Sequence, residues 1–118
     1  MKGRLINMGE KMSLGRFIAD RRKRLYMTQE ELAEKLHVSK SAVAKWETNG
    51  GIPDRDNLKR LSEVINISLD DMYRIINSIK YEDADLEVNI TAEIIALLES
   101  YGYKVIRPGE EDDKGGFK

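Results

Sequence analysis

Residues 28–54, TQEELAEKLHVSKSAVAKWETNGGIPD, decide how this chain folds. Thr28 can accept a hydrogen bond from the free N–H groups of a helix start, and Glu31, three residues on, can answer it in a capping box. A helix is therefore predicted to begin at Gln29. Leu32, Ala33 and Leu36 recur at helical spacing and make one apolar face. His37 follows where the chain must turn through a left-handed conformation, which His tolerates better than most non-glycine residues. Val38 plugs the corner, and Ser39 caps a second helix in which Val43 and Trp46 point inward. Lys40, Ser41, Ala42 and Lys45 then fall on its exposed side. Two glycines and Pro53 stop the helix after Thr48, and Asp54 caps the next one.

The same signals extend outward. A helix over residues 14–25 places Leu14, Phe17, Ile18 and Leu25 toward the core and Arg16, Arg22, Lys23 and Arg24 mostly outward. Leu58, Leu61, Val64 and Ile65 repeat every three or four residues in a fourth helix. Ser68 with Asp71 starts a fifth, whose inward residues are Leu69, Met72, Ile75, Ile76 and Ile79. Trp46, three residues after Val43, reads as a core anchor rather than a base-stacking group. Five short helices can bury their stripes only by packing together.

Two short helices joined by a tight turn have the shape of a helix-turn-helix, whose second helix fits a DNA major groove. The segment resembles the Cro and lambda-repressor type of helix-turn-helix, the xenobiotic response element family of bacterial and phage regulators. SLGRFIADRRKRLYM resembles the family's first helix, and DRDNLKRLSEVINISLDDMYRII its fourth and fifth, so the resemblance covers roughly residues 13–79. His37 and Asn49 stand where the family more often has Gly or Asn and Gly, and both types can adopt positive φ. The resemblance implies an all-α, five-helix, lambda-repressor-like DNA-binding domain. It places Lys40, Ser41 and Lys45 at base-reading positions and Thr48 and Asn49 at phosphate-contacting ones. Gln29 resembles the glutamine that braces the reading residues, and it also opens a helix whose N-terminus would meet a phosphate. Ser39 and Ala42 complete the DNA-binding set, with Ala42 able to touch a thymine methyl. For Arg21, Arg22, Lys23 and Arg24, added phosphate contacts and ordinary solvated roles both stay open.

The 118 residues carry a net charge of −1, but it is unevenly divided. Residues 1–60 hold 14 Lys and Arg against 8 Asp and Glu, whereas residues 61–118 hold 6 against 13. A basic half attracts phosphate and an acidic half stays away from it, which biases orientation before contact. With no cysteine and one histidine, a Cys/His zinc site cannot be assembled in one chain, and no cofactor or metal is expected. No apolar run approaches the ~20 residues of a membrane span, and residues 1–12 have no secretory apolar core, so a cytoplasmic protein without membrane contact is the expectation. No glycine-rich phosphate loop and no nucleophile beside a histidine is evident, so no catalytic residue is assigned and an enzyme is not expected.

Residues 1–12 read as a flexible arm, 13–79 as the DNA-binding domain, 80–106 as a linker and dimerisation segment, and 107–118 as a mobile acidic tail. Within the third segment, residues 86–90 alternate like a strand, Thr91 caps a helix over 92–101, Gly102 ends it, and residues 103–106 are extended. This makes a small C-terminal strand-helix-strand extension. Ile94, Ile95, Leu97, Leu98 and Tyr101 cover more than one face of its helix, which points to homodimerisation, the alternative being that it packs back on its own helical domain. The expected function is a sequence-specific double-stranded DNA-binding regulator of transcription, a repressor acting as a homodimer on a palindromic operator. The alternative is an antitoxin-type interaction protein whose C-terminal segment binds a partner protein.

Overall fold

The computed structural model of the chain describes residues 5–7, 11–81 and 85–107. These residues divide into two compact units, one spanning residues 12–89 and the other combining the N-terminal strand with the residues from 90 onward.

The larger unit contains α1 (Leu14–Arg24), α2 (Gln29–Leu36), α3 (Lys40–Glu47), α4 (Arg55–Val64) and α5 (Leu69–Asn77). Each begins on a side-chain cap: Ser13, Thr28, Ser39, Asp54 and Ser68 accept from the backbone N–H three residues on. Thr28 and Glu31 form the full reciprocal capping box. Four of the helices also end alike. Tyr26, His37, Asn49 and Asn66 all take left-handed φ values, from 59 to 64°. The N–H after each of these residues reaches back to a carbonyl five residues earlier, as Met27 does to Arg22 and Gly50 to Lys45. Such exits satisfy the orphan carbonyls and turn the chain sharply, which is why helices of 8 to 11 residues can pack into one core. Phe17, Ile18, Leu32, Leu36, Val43, Leu61, Ile65 and Met72 form its centre, all fully buried. At ~1.5–3 kcal/mol for each large side chain, their burial is the main force opposing chain entropy.

After α5, Ile79–Lys80 (β2) pairs antiparallel with Glu87–Val88 (β3), setting Lys80 opposite Glu87. Ile79, expected on the inner face of the fifth helix, is buried on this strand instead. The strand expected over 86–90 is therefore only two residues long, and it belongs to the larger unit. The Val88 N–H donates to the Met12 carbonyl at 2.6 Å, and the Leu14 N–H to that of Leu86 at 3.2 Å. The division of the chain falls after Asn89 rather than between residues 79 and 80.

The smaller unit consists of β1 (Leu5–Asn7), α6 (Ala92–Ser100) and β4 (Lys104–Ile106). Thr91 caps α6 and Gly102, at φ 91°, ends it. The helix and the strand after it are the expected ones, but the strand that joins them is not the one expected over 86–90: β4 pairs in parallel with β1, in the register Ile6 opposite Val105. Residues 5–7 are thus a strand and not the flexible arm expected of residues 1–12. A strand this short, in which Ile6 is buried opposite Val105, leaves no periodic signal in sequence. The expectation for α6 also needs correction. Ile94, Ile95, Leu97 and Leu98 are buried within the single chain and Tyr101 is half-buried. Their apolar surface is covered, so it no longer argues for a second copy or a partner protein. Of the expected tail, residues 108–118 lie outside the described residues, and Arg107 is exposed.

Candidate nucleic-acid interface

The helix-turn-helix comprises α2, the His37 turn and α3, and its geometry is fixed from behind by one buried carboxylate. Glu47, at the last turn of α3, accepts from Arg22 Nε at 2.6 Å and Nη2 at 3.0 Å, a bidentate ion pair with side chains only 5% and 9% exposed. Gln29 Nε2 donates to the same carboxylate at 2.8 Å. Arg22 Nη1 donates to the Met27 carbonyl at 2.7 Å, so α1, the turn before α2, α2 itself and α3 meet at one group. A fork-shaped guanidinium suits this task because its donors leave in a fixed plane.

Arg22, expected mostly outward, is therefore structural. Arg21 is buried too, and its Nη2 donates to the Ile65 carbonyl at 3.2 Å at the end of α4. Neither side chain is free to contact phosphate. A signal was present in the sequence, since Arg21 and Arg22 stand three and four residues after Ile18 and so share its inward face.

A second clamp joins the start of α1 to the end of α3. The left-handed Asn49 turns its side chain so that Oδ1 accepts from the Gly15 N–H at 2.8 Å. A Cβ at Gly15 would lie 2.7 Å from that oxygen and closer still to the Glu47 carbonyl, so only glycine permits this approach. Thr48 folds its hydroxyl back onto the carbonyls of Ala44 and Lys45, at 2.9 and 3.2 Å. The two residues expected to contact phosphate thus also finish the helix.

The opposite side of α3 is open. Ser39, Lys40, Ser41 and Lys45 are exposed and Ala42 is half-buried, together forming one continuous polar face. Ser39 spends its hydroxyl on the Ala42 N–H at 3.1 Å. At the start of α2, Thr28 accepts from the Glu31 N–H at 3.0 Å. The amides of Gln29 and Glu30 have no carbonyl inside the helix to reach, which leaves them as donors for an anion. Of the sequence-predicted residues, Ser39, Lys40, Ser41, Ala42 and Lys45 lie at the start and on the open side of α3, whereas Gln29, Thr48 and Asn49 bond to Glu47, the end of α3 and Gly15. Among the described residues no group of three or more His, Cys, Asp or Glu is placed to hold a metal ion. Among them, no helix is long and apolar enough to cross a membrane.

Five capped helices with an open α3 face behind a buried clamp define a helix-turn-helix fold. Residues 18–72 match the helix-turn-helix family. The HTH-type transcriptional activator BcrR of Enterococcus faecalis is 41% identical over 46 residues, which are 39% of this chain and 22% of that protein. The HTH-type transcriptional regulator ImmR of Bacillus subtilis is 37% identical over 59 residues, 50% of this chain and 46% of that one. The solution structure of the DNA-binding domain of the P22 c2 repressor is 31% identical, with a TM-score of 0.50, covering 54% of this chain and 84% of that domain. The chain belongs to the Cro and lambda-repressor type of helix-turn-helix family. Its matched part spans between about a fifth and a half of the length of these curated relatives.

Proposed function

We propose that this chain is a sequence-specific double-stranded DNA-binding regulator of transcription, a repressor that works as a homodimer on a palindromic operator. The observation that carries the reading is the exposed Ser39 to Lys45 face of a helix whose other side is locked by Arg22, Glu47 and Asn49. A rigid helix with donors on its free side is the form that a major groove accepts. Lys40 and Lys45 can donate to the O6 and N7 acceptors of guanine, Ser41 to either base type, and Ala42 can approach a thymine methyl. Gln29, and the free amides at the start of α2, would meet the phosphate flanking the groove. Thr48 and Asn49, at the far end of α3, would meet the next one.

The homodimer is proposed from the size of the site and not from α6. One such module reads only a few base pairs, and selectivity against a genome calls for two. A regulator whose two copies lie one helical turn apart would bind an inverted repeat.

The test is selection of bound duplexes from a random DNA pool by the full-length protein at near-physiological salt. The expected result is one enriched inverted repeat with half-sites about 10 base pairs apart, centre to centre. Salt-sensitive bulk binding with no enriched sequence would contradict it.

A further inference from the structure

Lys45 is exposed, yet its stem is not loose. A Cβ placed on Gly50 would lie 2.7 Å from Lys45 Cγ, 3.2 Å from the Lys45 carbonyl oxygen and 3.6 Å from Cε. The side chain therefore folds from the end of α3 across the bare backbone of Gly50, and its Cε reaches Gly51, where a Cβ would sit at 3.7 Å. The Lys45 carbonyl is held as well, accepting from the Gly50 N–H at 2.8 Å and from Thr48 Oγ1 at 3.2 Å.

Backbone conformation does not account for a glycine at this place. The left-handed position of the exit turn is taken by Asn49, and among the described glycines Gly102 is the one with positive φ. Gly50 adopts a conformation open to alanine, so what it supplies is space. A real Cβ essentially never approaches another carbon to 2.7 Å, and the atom in the way is the middle of the lysine stem rather than its free end. Any side chain at position 50 must swing Lys45 off this path.

We infer that Gly50 is a positioning residue for Lys45, a gap in the α3 exit turn that seats the lysine stem and aims its ammonium at one base pair. The inference rests on the proposed base-reading role of Lys45. A long side chain loses rotamer freedom when it makes a directed contact, and seating the stem beforehand removes part of that loss. It also gives the ammonium one direction, which separates reading a base from attraction to any nearby phosphate.

The random-pool selection would be run with full-length wild type, Gly50→Ala, Lys45→Ala, the double variant and Gly51→Ala, each also followed by thermal unfolding. Gly50→Ala is expected to stay folded with at most a modest drop in Tm, because its φ suits alanine while its Cβ crowds the Lys45 stem and carbonyl. It should lose about tenfold in preference at the same base pair that Lys45→Ala releases, the lower end of what one good base contact supplies. The double variant should be no worse than Lys45→Ala alone, and Gly51→Ala, whose Cβ makes only an ordinary contact, should resemble wild type. If Lys45→Ala relaxes one position while Gly50→Ala keeps the wild-type preference, or if the losses in the double variant add, the positioning role is overturned and base reading stands. If Lys45→Ala leaves the enriched sequence unchanged, base reading itself falls, and the positioning role with it.

Discussion

One side of α3 carries Val43, Trp46 and the Glu47 carboxylate, buried and bonded to α1 and α2; the other carries Lys40, Ser41 and Lys45, exposed. Both sides are built from eight consecutive residues, yet they answer to different requirements. The inner side must be matched by partners tens of residues away in sequence, and a wrong partner there is a stability defect. The outer side needs only a fixed platform, and under the proposed function a change there would alter what the helix recognises. Stability and sequence preference should therefore be separable by substitution on the two sides.

The strongest test of the inner side is Arg22→Ala. It strands the Glu47 carboxylate in a site with 5% exposure, and removing one partner of a buried ion pair costs about 3–5 kcal/mol. Urea unfolding should register that loss, and replacing Arg22 and Glu47 together with leucine should recover part of it. A loss under about 1 kcal/mol would mean that the pair behaves like a surface one. Gly15→Ala comes next, since its Cβ would press on the Asn49 side chain and the Glu47 carbonyl. Overpacking of this kind costs about 1–3 kcal/mol and should lower Tm without changing which duplex is enriched.

Lys45→Ala tests the outer side. It should weaken binding to the preferred duplex by about 1–3 kcal/mol, leave Tm in place, and relax one base pair. An equal loss on every sequence would make Lys45 a phosphate contact instead. The smallest expected effect belongs to Thr28→Ala, which removes the cap of α2 and should cost about 1 kcal/mol of stability. No measurable change in unfolding would indicate that water replaces the hydroxyl there.

The contrast also explains which features could be read in advance. Caps, apolar spacing and the left-handed turns at His37 and Asn49 are local, so the helix-turn-helix and its flanking helices were legible from neighbouring residues alone. The ion pair of Arg22 with Glu47 spans 25 positions and the bond of Gly15 to Asn49 spans 34, and no periodicity encodes such separations. The parallel pairing of β1 with β4 joins residues 5–7 to 104–106, and this long-range contact turned an expected arm into a strand. For α6, apolar residues on more than one face were correctly seen, but spacing cannot say whether its own chain or another covers them. The outer face of α3 was the most legible part of the candidate site, because exposed positions on a capped helix follow from spacing alone.

Docking of DNA on the outer side of α3 and the start of α2 can be followed through the backbone amide NMR signals of the full-length protein as the enriched duplex is added. The largest shifts are expected at Gln29, Glu30 and residues 39–45, with the signals of residues 92–106 little changed. Shifts concentrated in residues 92–106, with those of α3 unmoved, would contradict it.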